Sequence, residues 1–436
     1  MRKLRRIKVN KFRDVKPGME IQFSDGFNLI IGKNGSGKTT LLKLIRLIVS
    51  DDLSSLDEEE FDLEWELEMG AFSFQVQTRN TLEKPESEQN TTRKRHQTHS
   101  SESSSRYSAT ILLKVFKTEE LQFTCERDAR RAAITLPSGF SRTWSVGDEV
   151  LIGEPNDLDE FVAYPLFLDL DHEPELQALC PLLEDEIFLS CIDTAVQDVE
   201  RFDEGDGWWR YLERRFFLAS VEADPQGDSL ETPEERIIGS RVRQIMATKT
   251  PIVFVENEAP PEVEEVLHWM GYHSVSVMAS LEDDTDNGEK DRYYSKVRFG
   301  CRRRDGRHLW SRQLSWGEQR MLAFSLYLTM FKPDNVLIID ELTNGMHPDM
   351  IEYCLAKIKG CQCFLATQSA MLLDYMEFGS VDQLRASFVV CTKEVAGARD
   401  LMAWRNLEGE EASELYRDYE VGILRNHSML RMRGIW

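Results

Sequence analysis

From Phe61 to Met69 the chain alternates without a break: Phe61, Leu63, Trp65, Leu67 and Met69 are apolar, while Asp62, Glu64, Glu66 and Glu68 are acidic. Period-two alternation sends one set to each face of a strand, so this segment predicts a strand with one wet face. Phe72, Phe74 and Val76 repeat the period, and Ile111 to Phe116 and Leu121 to Cys125 continue a β-rich region. Upstream, residues 3–31 predict two β segments, with Ile21, Phe23, Phe27, Leu29 and Ile31 as the apolar pattern and Asp25-Gly26 as a hairpin-type turn. Thr40 to Val49 switches to helical spacing. Leu82 to Arg106 is almost devoid of apolar side chains, too few to offset ordering, which predicts a mobile loop over about 82–106.

Further along, Glu173 to Lys249 predicts mostly helix, interrupted at Glu204–Gly207 and Asp224–Thr232, without the sustained heptads of a long coiled coil. Pro251 to Glu256, Pro260 to Tyr272 and His273 to Ala279 read as strand, helix and strand. Tyr293 to Trp310 reads as a hairpin turning at Asp305-Gly306, and strands and helices alternate from there on, as in an α/β layer.

Composition narrows the class. The 436 residues are 41% hydrophobic and 30% charged, ordinary for a globular protein. Apolar runs such as Phe324 to Phe331 are too short to span a bilayer, and the basic stretch Met1 to Lys11 lacks the apolar core of a secretory signal. A cytoplasmic protein with no membrane partner is expected. The net charge of −23 argues against a surface that binds nucleic acid indiscriminately, though it leaves a local groove open. The basic clusters Arg2–Arg6, Arg93–His96, Arg302–Arg307 and Arg425–Arg433 read as solvated faces. Eight cysteines form no CxxC pair; Cys361 and Cys363 would share one face of a strand, and reduced, buried thiols are expected.

The chemistry concentrates in three places. Gly32-Lys33-Asn34-Gly35-Ser36-Gly37-Lys38-Thr39 is a full P-loop pattern lying between an apolar strand and a helix. Its glycines let backbone N–H groups turn inward around phosphate oxygens, aided by the positive end of the helix dipole. Gly32, Asn34, Gly35, Ser36, Gly37, Lys38, Thr39 and Thr40 form the expected ATP-binding set, with Lys38 reaching the β- and γ-phosphates and Thr39 on Mg²⁺. Val336 to Glu341 is an apolar strand ending in two carboxylates. Asp340 suits Mg²⁺, and Glu341 suits orienting and deprotonating an attacking water. Leu314-Ser315-Trp316-Gly317-Glu318-Gln319-Arg320 precedes a helix, and Ser315 stands 25 residues before Asp340. A Ser hydroxyl and a Gly N–H at a helix start can grip an anion, although Ser315 equally reads as a plain N-cap.

Leu-Ser-x-Gly-x-x-Arg at 314–320 resembles the ABC signature, and residues 1–50 and 310–375 look like the two halves of an SMC/RecF-like ATPase head. The stretch Asp340 to Pro348 is similar to the run from Walker B into the D-loop, closest to prokaryotic stand-alone ATP-binding proteins and to the ATPase domain of OLD nucleases. The resemblance implies an ABC-type P-loop head with an antiparallel β subdomain (1–165), a mostly helical insertion (166–290) and a C-terminal ATPase half (291–436). It further implies a homodimer or higher oligomer closing through its ATP sites, with Ser315 and Gly317 on the γ-phosphate of the partner's nucleotide. Asn344 and His347 become seam candidates, though His347 equally reads as a helix-entry residue. A role in phage defence or DNA maintenance through a separate effector protein follows from the same resemblance.

Two departures matter. The family places a switch His where this chain has Gln368, which can donate a hydrogen bond but carries no proton or charge, so slow hydrolysis is expected. The Q-loop glutamine falls to Gln75 or Gln77; Gln75 is the metal-sensing candidate, and an ordinary strand Gln is the competing reading. Lys38 and Ser315 stand 277 residues apart, wider than in transporter-type subunits.

Two alternatives remain. One is a slowly hydrolysing, ATP-locked scaffold or sensor. The other is a nuclease gathering Glu256 with Glu282, Asp283, Asp284 and Asp286 around Mg²⁺, against which stands the plain reading of an acidic loop. No DxD ends a strand in the 67 residues after Ser369, so the second module of OLD nucleases is not expected there. Asp169, Asp171, His172 and Glu173 have no distant partner ligand and read as a solvated turn.

Overall fold

The computed structural model describes residues 2–49, 58–70, 72–82, 107–116, 122–128, 131–145, 199–202, 216–217, 252–256, 261–284, 291–330, 336–343, 345–369, 374–396 and 399–421, with isolated positions between them. The expected mobile loop after Leu82, the acidic run 169–173, Asn344, Asp286 and most of the expected helical stretch 173–249 lie outside the described residues. The chain forms two compact units, Met1–Val199 with Gly379–Tyr416, and Glu200–Phe378 with Arg417–Trp436.

The first unit holds an eight-stranded antiparallel sheet in the order β2-β1-β4-β5-β6-β7-β8-β9. Its strands are β1 (Arg2–Phe12), β2 (Met19–Gln22), β4 (Phe61–Met69), β5 (Phe72–Leu82), β6 (Tyr107–Phe116), β7 (Gln122–Asp128), β8 (Arg131–Thr135) and β9 (Ser141–Ser145). The alternation in β4 works as the pattern requires: Phe61, Leu63, Trp65 and Leu67 are buried with Leu4, Ile7, Val9 and Phe12 of β1. On the wet face the acids of β4 meet the bases of β1, with Lys8 on Glu64 at 2.8 Å and Arg5 Nε on Glu68 at 2.6 Å. Arg5 and Arg6 of the first basic cluster thus stand in cross-strand pairs, which explains a basic strand beside an acidic one.

In the same unit, β3 (Phe27–Gly32) runs parallel to β18 (Phe388–Ala396), which pairs antiparallel with β19 (Arg399–Asn406). The helices α1 (Lys38–Val49) and α5 (Val381–Ser387) flank β3. Asn406 stitches the two sheets, exchanging hydrogen bonds with the Gln22 backbone at 2.7 and 2.9 Å and donating to Phe388 O at 3.1 Å. This corrects the expected hairpin at Asp25-Gly26. β2 pairs with β1, and at Asp25-Gly26 the chain crosses from one sheet to the other. The crossing is held by the Asn28 side chain, which accepts from Ser24 N at 2.8 Å and donates to Ser24 O and Gly26 O at 3.1 Å.

The second unit contains the sheet β11-β14-β13-β12 from β11 (Phe216–Phe217), β12 (Ile252–Glu256), β13 (Tyr272–Asp284) and β14 (Asp291–Arg303), with β15 (His308–Trp310) also on β14. The expected turn at Asp305-Gly306 is present, Gly306 N donating to Arg303 O at 2.9 Å. Helix α2 (Pro261–Trp269) links β12 to β13 and packs on α3 (Trp316–Met330). Beyond α3, β16 (Val336–Asp340) lies parallel to β17 (Cys363–Thr367), with α4 (Pro348–Lys357) between them in sequence. A short β10 (Val199–Phe202) precedes these elements. The apolar runs of β16 and β17 are buried throughout, as parallel strands covered on both faces require.

Candidate functional site

The P-loop follows directly from β3. Its last residue, Gly32, pairs with Cys391 of β18, and the loop then closes onto the start of α1 at Lys38. Lys38 is buried, and its Nζ donates to Gly32 O at 2.9 Å and Lys33 O at 3.2 Å, folded over the loop's own carbonyls. Those weak acceptors hold a cation where phosphate oxygens would replace them. The first turn of α1 carries no acid, so nothing in that turn offsets its positive end. Ser36 Oγ is buried with no hydrogen-bond partner, an orphaned polar atom inside a loop of this shape. Gly37 sits at φ +93°, and a Cβ there would strike the Met402 sulfur and approach Trp404 Nε1 of β19 to 3.0 Å. These observations fit a polyphosphate seated against the loop. Thr39 is exposed at the helix start.

In the second unit, β16 delivers Asp340 and Glu341 at its C-terminal edge, and Glu341 N donates to Ala366 O of β17 at 2.9 Å. Glu341 lies at φ +53°, a left-handed conformation that a non-glycine residue adopts only when its surroundings force it. Three contacts hold it. Arg320 Nη2 donates to Glu341 O at 2.6 Å, Glu341 Oε2 accepts from Gln368 N at 3.2 Å, and its own N–H is bound to β17. Glu341 Oε1 is buried with no hydrogen-bond partner. A carboxylate fixed by one oxygen, with the other unpaired, has the form of a general base.

The signature segment joins this cluster. Ser315 caps α3 through a capping box: Ser315 N donates to Glu318 Oε2 at 2.8 Å and Glu318 N to Ser315 Oγ at 3.4 Å. Gly317 approaches Gly345 so closely that a Cβ would lie 2.6 Å from Gly345 O, so glycine alone admits this contact. Trp316 covers Gly345 and remains 51% exposed, leaving an aromatic face beside the serine. His347 is the N-cap of α4, accepting from Asp349 N through Nδ1 at 3.4 Å.

The P-loop residues Gly32 to Thr40 therefore stand together with β18 and β19 in the first unit, while Ser315, Gly317, Asp340, Glu341 and Gln368 stand in the second. Gln368 is exposed and binds Glu341 through its backbone N–H. Gln75 lies within β5, opposite Glu66 and Lys114 in the flanking strands, and Gln77 donates to Asp62 at 3.4 Å. The acids of the nuclease alternative are separated by register: Glu256 opposes Ser276, whereas Glu282 lies six residues further along β13, about 20 Å away at 3.3 Å per residue. Among the described residues no group of three His, Cys, Asp or Glu could hold a metal ion, and no helix is long and apolar enough to cross a membrane. Cys301, Cys354, Cys361, Cys363 and Cys391 are free and buried. Sequence reasoning missed the Arg320 clamp on Glu341 and the Met402–Trp404 wall behind Gly37. Both are long-range contacts without a local signal.

A family model for an AAA ATPase domain matches residues 2–123, and an AAA domain whose description names the AbiEii toxin and a Type IV TA system matches residues 210–374. The DNA replication and repair protein RecF of Aliivibrio salmonicida (strain LFI1238) is 49% identical over 45 residues, and the chain spans only 12% of that protein's length and 10% of its own. An SMC head bound to the C-winged helix domain of ScpA is similar at 14% identity and TM-score 0.40, with 93% of this chain and 98% of that one covered. A RecF–ATPrS structure is similar at 14% identity and TM-score 0.29, covering 92% and 98%. Both family models describe AAA-type ATPase domains, and between them they span the P-loop, the signature-like segment and the acid-bearing strand of this α/β fold.

Proposed function

We propose that two copies of this chain close head to tail around two ATP molecules and that the cycle of closure and reopening controls a separate effector in DNA maintenance or phage defence. Lys38 and Thr39 hold the nucleotide in cis, and Ser315 with Gly317 grips the γ-phosphate from the partner copy. Thr39 and Asp340 present hard oxygen donors suited to Mg²⁺, which when bound neutralises the phosphate charge; Gln75 is a more distant candidate for sensing it. Glu341 takes the proton of the attacking water through its unpaired oxygen, while the Gln368 N–H holds the other. The observation that carries this reading is the forced backbone of Glu341, fixed by Arg320 and Gln368 with Oε1 buried and unpaired. The DNA context is supported by the name of the RecF relative and the defence context by the toxin–antitoxin description of the second family model.

The competing reading is an ATP-locked scaffold, favoured by Gln368, whose side chain cannot shuttle a proton. Phosphate release and ATP-dependent mass by light scattering, measured for the wild type and Glu341→Gln, separate the two. Turnover in the wild type, with a stable ATP-bound dimer and loss of turnover in Glu341→Gln, supports the proposal. Equal, negligible rates in both proteins favour the scaffold, and a mass that ignores ATP overturns the dimer.

A further inference from the structure

The mouth of α3 contains an acid that the ATPase chemistry does not use. Glu318 lies in the first turn of that helix, and its carboxylate is divided between two partners: Oε2 accepts from Ser315 N at 2.8 Å and Oε1 accepts from Tyr272 OH at 2.8 Å. Tyr272 opens β13, pairs in register with Arg303 of β14, and is almost fully buried at 3% exposure. The Arg303 guanidinium stands over its ring, 5.7 Å from the centroid. We propose that Tyr272 is a positioning residue for the signature serine, tying the β13 strand to Ser315 through Glu318. The proposal rests on Ser315 acting on the γ-phosphate.

The physical logic has two steps. In the capping box the Glu318 carboxylate takes the Ser315 N–H while the Ser315 hydroxyl is turned back to Glu318 N, so the placement of Glu318 decides how that hydroxyl is presented to a phosphate. Glu318 cannot choose its own placement, because Tyr272 holds one oxygen while the capping box holds the other. Burial pushes the Tyr272 hydroxyl up to about 12, with Glu318 adding to the rise, so it remains a proton donor throughout the neutral range. Tyr272 is the first residue of β13, so the strand fixes where its hydroxyl stands. A displacement of β13 against α3 would therefore pull Glu318 across the cap and rotate the Ser315 hydroxyl. By contrast, the first turn of α1 at the P-loop carries no acid, and nothing in that turn competes with nucleotide there.

Tyr272→Phe removes one hydroxyl and keeps the ring, so folding is checked by thermal melting and the effect is read in steady-state phosphate release. The expected result is kcat changed by about fivefold or more with KM for ATP unchanged, since the P-loop is untouched. A double-mutant cycle with Glu318→Gln should show the two effects to be non-additive, because both act through the same hydrogen bond. Additive effects, or an unchanged kcat in a folded Tyr272→Phe protein, would overturn the positioning role. Ser315→Ala serves as the separate control. If that variant turns over at the wild-type rate, the reading of the signature itself fails, whereas a slow Ser315→Ala beside an unaffected Tyr272→Phe sinks only the coupling.

Discussion

Arg320 Nη2 donates to the carbonyl oxygen of Glu341 at 2.6 Å, so the signature helix and the end of the acid-bearing strand are held by one charge-assisted hydrogen bond. Arg320 is buried, and Glu341 is one of two described non-glycine residues at positive φ. Removing the donor releases the strained turn and leaves a carbonyl without its charged partner. Arg320→Met should cost about 2–4 kcal/mol in urea unfolding and lower kcat at least tenfold, with the Kd for ATP near that of the wild type. A variant as stable and active as the wild type would show the clamp to be incidental.

Two glycine substitutions should divide binding from turnover. Gly37→Ala forces a Cβ against Met402 and Trp404 at a positive φ, so the P-loop must shift. The Kd for a fluorescent ATP analogue should rise at least tenfold. Gly317→Ala drives a Cβ toward Gly345 O at 2.6 Å and should leave that Kd within about twofold while kcat falls, because the displaced element is the signature. Identical profiles for the two variants would contradict the assignment of separate roles.

Acid should destabilise the first unit through Asp62 and Glu64. Burial opposes the charge of each most strongly, yet hydrogen bonds from Asn10 and Arg79 to Asp62, and from Lys8 and Asn10 to Glu64, outweigh it and hold both below the ordinary 3.8 and 4.5. A depressed native value means that folding is favoured above the unfolded pKa and that this gain is lost as pH falls through the native value. Chemical denaturation should therefore show stability roughly flat from pH 7 to about 5 and falling below about 4.5, and Asp62→Asn should flatten part of that fall. An unchanged acid limb in Asp62→Asn would remove Asp62 from the account.

The described thiols should be inert in the native protein. Burial pushes Cys301 and Cys391 up to about 12 and raises Cys354 and Cys363 as well, leaving little thiolate at neutral pH. Alkylation at pH 8 followed by peptide mass spectrometry should leave Cys301, Cys354, Cys361, Cys363 and Cys391 unmodified until denaturant is added. Rapid labelling of Cys391, which backs the P-loop, would indicate that β18 opens in the native state.

Much of the site was legible before folding because its parts are contiguous. A P-loop needs its glycines, lysine and threonine at fixed spacing on one turn, so Gly32 to Thr39 announce themselves in one dimension. The same holds for the apolar run ending in Asp340-Glu341 and for Ser315 with Glu318, whose capping box spans three residues. Alternation in β4 was equally plain, since a strand's two faces are written into every second residue.

Other features depended on which strands met. Asp25-Gly26 has the local chemistry of a hairpin, but β2 found its partner in β1, and a turn's composition does not say which strand follows it into which sheet. The acids near Glu256 and Glu282 look close when counted along the chain, and the antiparallel register of β12 and β13 sets them about 20 Å apart. Arg320 on Glu341, Tyr272 on Glu318, and Met402 with Trp404 behind Gly37 join residues 21, 46 and hundreds of positions apart. Periodicity and motif spacing encode local geometry, whereas such contacts exist only when packing has brought separate elements within hydrogen-bond reach. The sequence alone thus determined the inventory of candidate residues, and the tertiary structure decided how its acid, serine and loop are held.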